Sequence, residues 1–211
     1  MDHTFDSDYW DRIWSGDRAT AMRSSAPNPH LLAQAADLAP GSALDAGCGG
    51  GAEAIWLASR GWTVTAADIA RTALDFGRER AATAGLGARV EWVQADLSTW
   101  QPEATYDLVT THYAHPAIPQ LEFYGRIATW VAPGGTLLIV GHLHPGQHDH
   151  THRDEGHPPA EASATAAAIT ALLEPATWDV VTAEESQRTM TGPGGRERTI
   201  HDVVVRATRR P

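Results

Sequence analysis

One segment limits what this chain can fold into more than any other. Ala43-Leu44-Asp45-Ala46 is a short apolar run carrying one acid, and it leads into Gly47-Cys48-Gly49-Gly50-Gly51. From the last of the glycines, Gly51 to Arg60 reads as a helix, stopped by Gly61. Strand, glycine loop and helix in that order let a backbone turn sharply and approach a ligand closely. The first N–H groups of the helix then face that ligand. Asp68 ends the next strand, 19 residues beyond Gly49. A carboxylate there can grip ribose hydroxyls.

The same rhythm continues along the chain. Strands are expected at Ser42–Ala46, Trp62–Ala67, Val90–Ala95, Tyr106–Thr110 and Thr136–Val140. Between them, helical spacing of apolar residues predicts helices through Gly51–Arg60, Ala70–Ala84 and Ile118–Val131, the last followed by a Pro133-Gly134-Gly135 turn. Asn28-Pro29 reads as the N-cap and first residue of a helix running to Leu38. An Ala-rich helix is expected over Ala160–Leu173. Two strands, about Trp178–Glu185 and Arg198–Ala207, then form a terminal hairpin. Alternating strands and helices imply a doubly wound, mostly parallel sheet with helices on both faces. The 211 residues suit one domain. It divides into an N-terminal lid segment 1–27, a core 28–141, a His-rich loop 142–159 and a C-terminal helix and hairpin 160–211.

Composition narrows the partners. The 16 basic residues, all Arg, stand against 26 acidic ones, for a net charge of −10. That balance argues against nucleic acid or an anionic membrane as main partner. No apolar run approaches the ~20 residues a membrane span needs. The acidic opening has no signal-peptide pattern, and Cys48, the single cysteine, has no intrachain partner. A cytoplasmic protein is the expectation.

Two readings fit the glycine loop alone. Gly47-x-Gly49-x-x-Ala52 satisfies the dinucleotide fingerprint, which would make the chain an NAD(P)-dependent oxidoreductase. Asp45 separates the readings: a carboxylate two residues before Gly47 suits a cationic amino-acid moiety and would repel a pyrophosphate. Asp96, in Gln94-Ala95-Asp96-Leu97, follows the third strand, where it can accept from an adenine amino group. Tyr106-Asp107-Leu108-Val109 and Ala132-Pro133-Gly134-Gly135-Thr136-Leu137 complete an ordered series.

With these motifs, residues 28–141 resemble the class I S-adenosylmethionine (SAM)-dependent methyltransferases. The resemblance implies a seven-stranded, Rossmann-like sheet with an antiparallel last strand. It implies SAM above the carboxyl ends of the central strands and a small-molecule methyl acceptor. Asp45, Gly47 and Gly49 would hold the methionine end, and Asp68 the ribose, with Ile69 beside the adenine. Asp96 and Leu97 would read the adenine, and Thr111 joins the cofactor set. Asp107 reads as a structural, strand-start residue.

The ends of the chain carry further candidates. Asp8-Tyr9-Trp10-Asp11-Arg12-Ile13-Trp14-Ser15-Gly16 is similar to the opening of tellurite-resistance-type and thiopurine-type small-molecule methyltransferases. Trp10 and Trp14 share a helix face, either as core or as an aromatic lid that keeps water from a sulfonium. The Thr110–Pro116 loop offers His112 and His115, as general bases or as pocket lining. Six of the 11 histidines fall between His142 and His157. Interrupted by Pro and Gly, and without Cys or a fixed zinc spacing, this tract reads as a loop at the substrate mouth rather than a metal site. Its His142 and His144 are expected to face substrate. A non-catalytic metal or nucleotide sensor on the same fold is the third alternative.

Overall fold

A computed structural model describes residues 5–16, 22, 25–143, 163–191 and 197–211, the side chains of 190, 191, 197 and 198 excepted. Seven strands form one sheet: β1 (Ser42–Ala46), β2 (Thr63–Asp68), β3 (Val90–Gln94), β4 (Tyr106–His112), β5 (Val131–His142), β6 (Trp178–Thr191) and β7 (Glu197–Arg209). Their order is β3-β2-β1-β4-β5-β7-β6. The first five run parallel, and β7 pairs antiparallel with both β5 and β6. The helices are α1 (Ser7–Ser15), α2 (Pro29–Ala35), α3 (Ala52–Ser59), α4 (Arg71–Thr83), α5 (Gln120–Ala128) and α6 (Ala166–Thr170). The doubly wound sheet with its antiparallel strand is the one expected from the motif order. Among the described residues, no helix is long and apolar enough to cross a membrane.

Both sheet faces are buried, which is why the central strands are nearly continuous apolar runs. One face packs Leu44, Val109, Leu137 and Ile139 against Phe123 and Ile127 of α5. The other packs Val64, Leu108, Leu138 and Val140 against Leu31 of α2 and Leu57 of α3. The order in which strands are added reverses between β1 and β4, which are adjacent and parallel but not consecutive. At such a switch point the loops after the two strands diverge to opposite faces and leave a crevice at their carboxyl ends. The functional cleft lies there.

Several boundaries differ from the sequence expectation. Helix α5 begins one residue after Pro119 and stops at Ala128, because Val131 already pairs with Tyr106. Strand β5 therefore includes Pro133–Gly135 as an irregularity in register instead of starting beyond it. The C-terminal helix is only Ala166–Thr170 within its described part, capped by Thr165. Strand β6 runs past its expected end through polar Ser186–Arg188, while β7 exceeds its expected bounds by only one or two residues at each end. Strand β6 is the sheet edge, and backbone pairing with β7 carries it where no apolar alternation marks a strand.

Candidate active site

The cleft at the switch point has a volume of about 610 Å³ and a mainly apolar wall, within the size range of small-molecule sites. Its floor is the loop after β1. Gly47 and Gly49 have φ of 81° and 50°, in the left-handed region. A side chain at Gly47 would collide with Ala114, and a Cβ at Gly49 would sit 2.8 Å from the Trp14 ring. Glycine is therefore required by conformation and by space. Asp68 locks this loop: its Oδ2 accepts from the Gly49 N–H at 2.8 Å and its Oδ1 from the Ala70 N–H at 2.9 Å. Each oxygen retains a second acceptor position that a ribose hydroxyl can use.

Ile69, Asp96 and Leu97 line one end of the cleft, beyond β2 and β3. The Asp96 Oδ1 accepts from the Ser98 N–H at 2.9 Å, which fixes the carboxylate. Trp10 and Trp14 of α1 line the roof together with Met22. Trp14 is 5% exposed and packs on Ala70 and Ala73, so it is a core residue and a cleft wall at once. The other end is built by His112, Tyr113 and His115 after β4, by His142 at the end of β5, and by Arg188 and Ile200 of the hairpin.

Two cofactor candidates sit differently from the rest. Thr111 is buried within the sheet and its hydroxyl donates to the Ala46 carbonyl at 2.8 Å. It ties β4 to β1 and is not part of the cleft wall, because successive residues of a strand point to opposite faces. Asp45 lies under the glycine loop, 1% exposed, and its Oδ2 has no hydrogen-bond partner among the described residues. Burial raises its pKa to about 7, against the pull of the Ala54 N–H. The Asp68 carboxyl is likewise pushed up to about 6 by burial, opposed by its bonds to Ala70 and Gly49. His112 is also buried, its Nδ1 unpartnered among the described residues and 4.0 Å from Asp45 Oδ1. Desolvation lowers its pKa, so the ring is neutral. Asp107 does have the structural role: its Oδ2 accepts from the Ser42 N–H and hydroxyl, both at 2.8 Å. His144 and the tract beyond it lie outside the described residues. Among the described residues, no cluster of His, Cys, Asp and Glu could hold a metal ion.

Sequence reasoning missed Glu53 and the Asp202 network. Glu53, in the first turn of α3, lines the cleft and accepts from the Asn28 N–H at 3.0 Å. Burial raises its pKa, against the pull of His112. Asp202 of β7 is fully buried and accepts from three elements: the Tyr113 hydroxyl at 2.7 Å, the Arg188 Nε at 2.6 Å and the His30 Nε2 at 3.0 Å. Burial alone would raise its pKa, but these three bonds outweigh it and hold the carboxyl low. Tyr113 adopts a left-handed φ of 56°, a strained conformation for a bulky residue. No motif announces these residues, because their neighbours are set by strand pairing across the sheet.

An adenosyl-methionine ligand fits this donor set. The cleft offers Asp68, Asp96 and His112 in its wall, and the Asp45 Oδ2, without a hydrogen-bond partner among the described residues, is buried beneath the glycine loop. Residues 43–135 match the family model of the methyltransferase domain. An uncharacterized methyltransferase of Mycobacterium tuberculosis is 38% identical over 104 residues, covering 48% of this chain and 51% of that protein. The chain thus spans about half the length of the curated relatives it matches first. Thiocyanate methyltransferase 1 of Brassica oleracea is 25% identical over 203 residues, covering 94% of this chain and 85% of that one. The N-methyltransferase NodS of Bradyrhizobium japonicum, solved with S-adenosyl-L-homocysteine, is 18% identical. It superposes with a TM-score of 0.67 over 99% of this chain and all of its own. With this strand order, this glycine loop and these matches, residues 43–135 carry a methyltransferase domain, and the chain is similar to the class I SAM-dependent methyltransferases.

Proposed function

We propose that this protein transfers the methyl group of SAM to a nucleophilic O, N or S atom of a small molecule. One observation carries the reading: the Gly47–Gly49 loop, pinned by Asp68, opens into the same cleft as the His115, His142 and Arg188 wall. A cofactor site and an acceptor site are then continuous. SAM supplies a methyl group on a cationic sulfur. Gly47, Gly49, Asp45 and Asp68 would hold its amino-acid and ribose portions, and Ile69, Asp96 and Leu97 its adenine. Trp10 and Trp14 would exclude water from above, with ring faces that tolerate positive charge. The opposite wall aligns the acceptor within roughly 3–3.5 Å of the methyl carbon, which supplies much of the rate enhancement in such displacements.

The nicotinamide reading meets an obstacle in Asp45, whose carboxylate lies under the loop that would have to cradle a pyrophosphate. Parallel calorimetric titration with SAM, NAD and Zn²⁺ separates the readings. SAM binding alone, followed by mass gain of one methyl on an acceptor screened with the loaded enzyme, is the expected result. Tight NAD binding without SAM binding would overturn it.

A further inference from the structure

The acceptor end of the cleft is walled by rings. His142 stacks on Tyr113 with centroids 4.4 Å apart, and His115 stacks on His142 at 5.3 Å. Phe5 lies 6.2 Å from His115 on the other side. Behind His115 sits Gln120, the first residue of α5 and 4% exposed. Its Nε2 donates to the Ala114 carbonyl at 3.0 Å. A carbonyl can only accept, so that end of the amide is the NH₂, and the oxygen faces the imidazole. The Gln120 Oε1 is 3.3 Å from His115 Nδ1. An amide oxygen also only accepts, so Nδ1 must carry the proton. A neutral imidazole has one N–H, which leaves the lone pair on Nε2. Nε2 has no protein partner among the described residues, and the ring borders the cleft.

We infer that His115 is the general base of this site, with Nε2 as the proton-accepting atom, and that Gln120 is the positioning residue that fixes its tautomer. The assignment rests on the methyl-transfer reading above and names its substrate class: a flat ring bearing an O–H or S–H that is still protonated at neutral pH. The acceptor's proton passes to Nε2 as its O–H or S–H bond breaks. The freed lone pair forms the new bond to the methyl carbon, and the carbon–sulfur bonding pair stays on the sulfur. The proton then leaves His115 for solvent. Burial keeps the ring neutral and ready to accept, with the Gln120 bond acting in the opposite direction. The groups packed around it are His142 of β5, Phe5 ahead of α1 and Gln120 of α5. Tyr113 lies behind His142, and Arg188 of β6 borders the same cleft, paired with Asp202.

Two measurements on the full chain test this. Long-range ¹H–¹⁵N spectra of the SAM-free protein read the tautomer directly. The wild type should show a protonated Nδ1 and a bare Nε2, Gln120→Ala should lose that preference, and Gln120→Glu should raise the His115 pKa. An Nε2–H tautomer in the wild type, or a Gln120→Ala spectrum identical to it, overturns the positioning role. Methyl transfer is then followed with a panel of phenols and arylmethyl thiols chosen to be protonated at neutral pH. His115→Asn should lower kcat by roughly 10²–10⁴-fold, the usual contribution of a general base, with SAM affinity unchanged. The wild-type pH profile should show a limb at the His115 pKa that moves in Gln120→Glu. Unaltered kcat in His115→Asn, or no turnover of either acceptor series by enzyme that binds SAM, overturns the base and its acceptor class. Failure to bind SAM at all would instead defeat the methyl-transfer reading while leaving the tautomer result standing.

Discussion

Asp68 holds the glycine loop to the N-cap of α4 with both oxygens of one carboxylate. Its two oxygens already hold the Gly49 and Ala70 N–H groups, so a ribose would meet a carboxylate fixed in advance. Asp68→Ala should weaken SAM binding by about 1.5–3 kcal/mol, the range for a hydrogen bond to a charged group, and calorimetry measures it; an unchanged dissociation constant would remove Asp68 from the site. Gly47→Val should abolish binding, since a β-branched side chain has neither the backbone conformation nor the space beside Ala114. A folded variant that binds SAM normally would show that the loop is not the cofactor site. His115 and Gln120 belong to this scale as well, because the direction of one amide decides which ring nitrogen can take a proton.

Between elements, the informative contact joins α1 to α4. Helix α4 has Ala70 at its N-cap, with no side-chain cap of its own. The Asp11 Oδ1 of α1 instead accepts from the Thr72 N–H at 3.1 Å, so α1 caps the helix that follows β2. Trp14, on the same helix, packs over Gly49. Asp11→Ala should therefore cost about 0.5–2 kcal/mol of stability, as other cap losses do, read as a shift in urea midpoint. It should also increase hydrogen exchange at Thr72 and loosen SAM binding. Loss of stability without any change in SAM affinity would show that α1 is a structural brace and not a lid.

Across the whole molecule, charge burial makes pH dependence a direct readout of the site. Asp45 and Asp68 have folded pKa values raised by burial to about 7 and about 6. Without ligand, protonation of these groups favours the folded state, so their contribution to stability is fully present below the unfolded value near 3.8 and is lost as pH rises through 6 to 7. A cationic ligand requires the ionised carboxylate. SAM affinity should thus fall by up to about tenfold per pH unit below pH 7, with proton release on binding; a flat profile between pH 5 and 8 would separate Asp45 from the ligand. Asp202 has the opposite sign. Its lowered pKa contributes stability above the unfolded value, lost as pH falls through its folded one. Removing it leaves the Arg188 guanidinium without its carboxylate, with the Tyr113 hydroxyl still accepting from it. Asp202→Ala should cost about 3–5 kcal/mol, as loss of one member of a buried pair does, and Asp202→Asn less, measured by chemical denaturation.

The sequence alone determined the local devices of this protein. Apolar runs, the glycine loop, Asp68 at a strand end and the Asn28 cap are each read from a short local stretch of chain, and the structure has each of them in place. Local physics fixes them: sterics at glycine, burial on both faces of a parallel strand, an orphan N–H seeking a cap. What only the tertiary structure decided is which distant residues meet. Thr111 and His112 are neighbours in sequence, yet the pleat turns the hydroxyl of Thr111 toward Ala46 and places the His112 ring near Asp45. Arg188 and Ile200 reach the cleft, with Asp202 buried behind Arg188, because β7 inserts between β5 and β6 and carries the hairpin to the end of the sheet. A strand's side-chain pattern reports its own two faces, while its partner and register come from backbone pairing across the sheet, and that pairing completed the wall of the cleft.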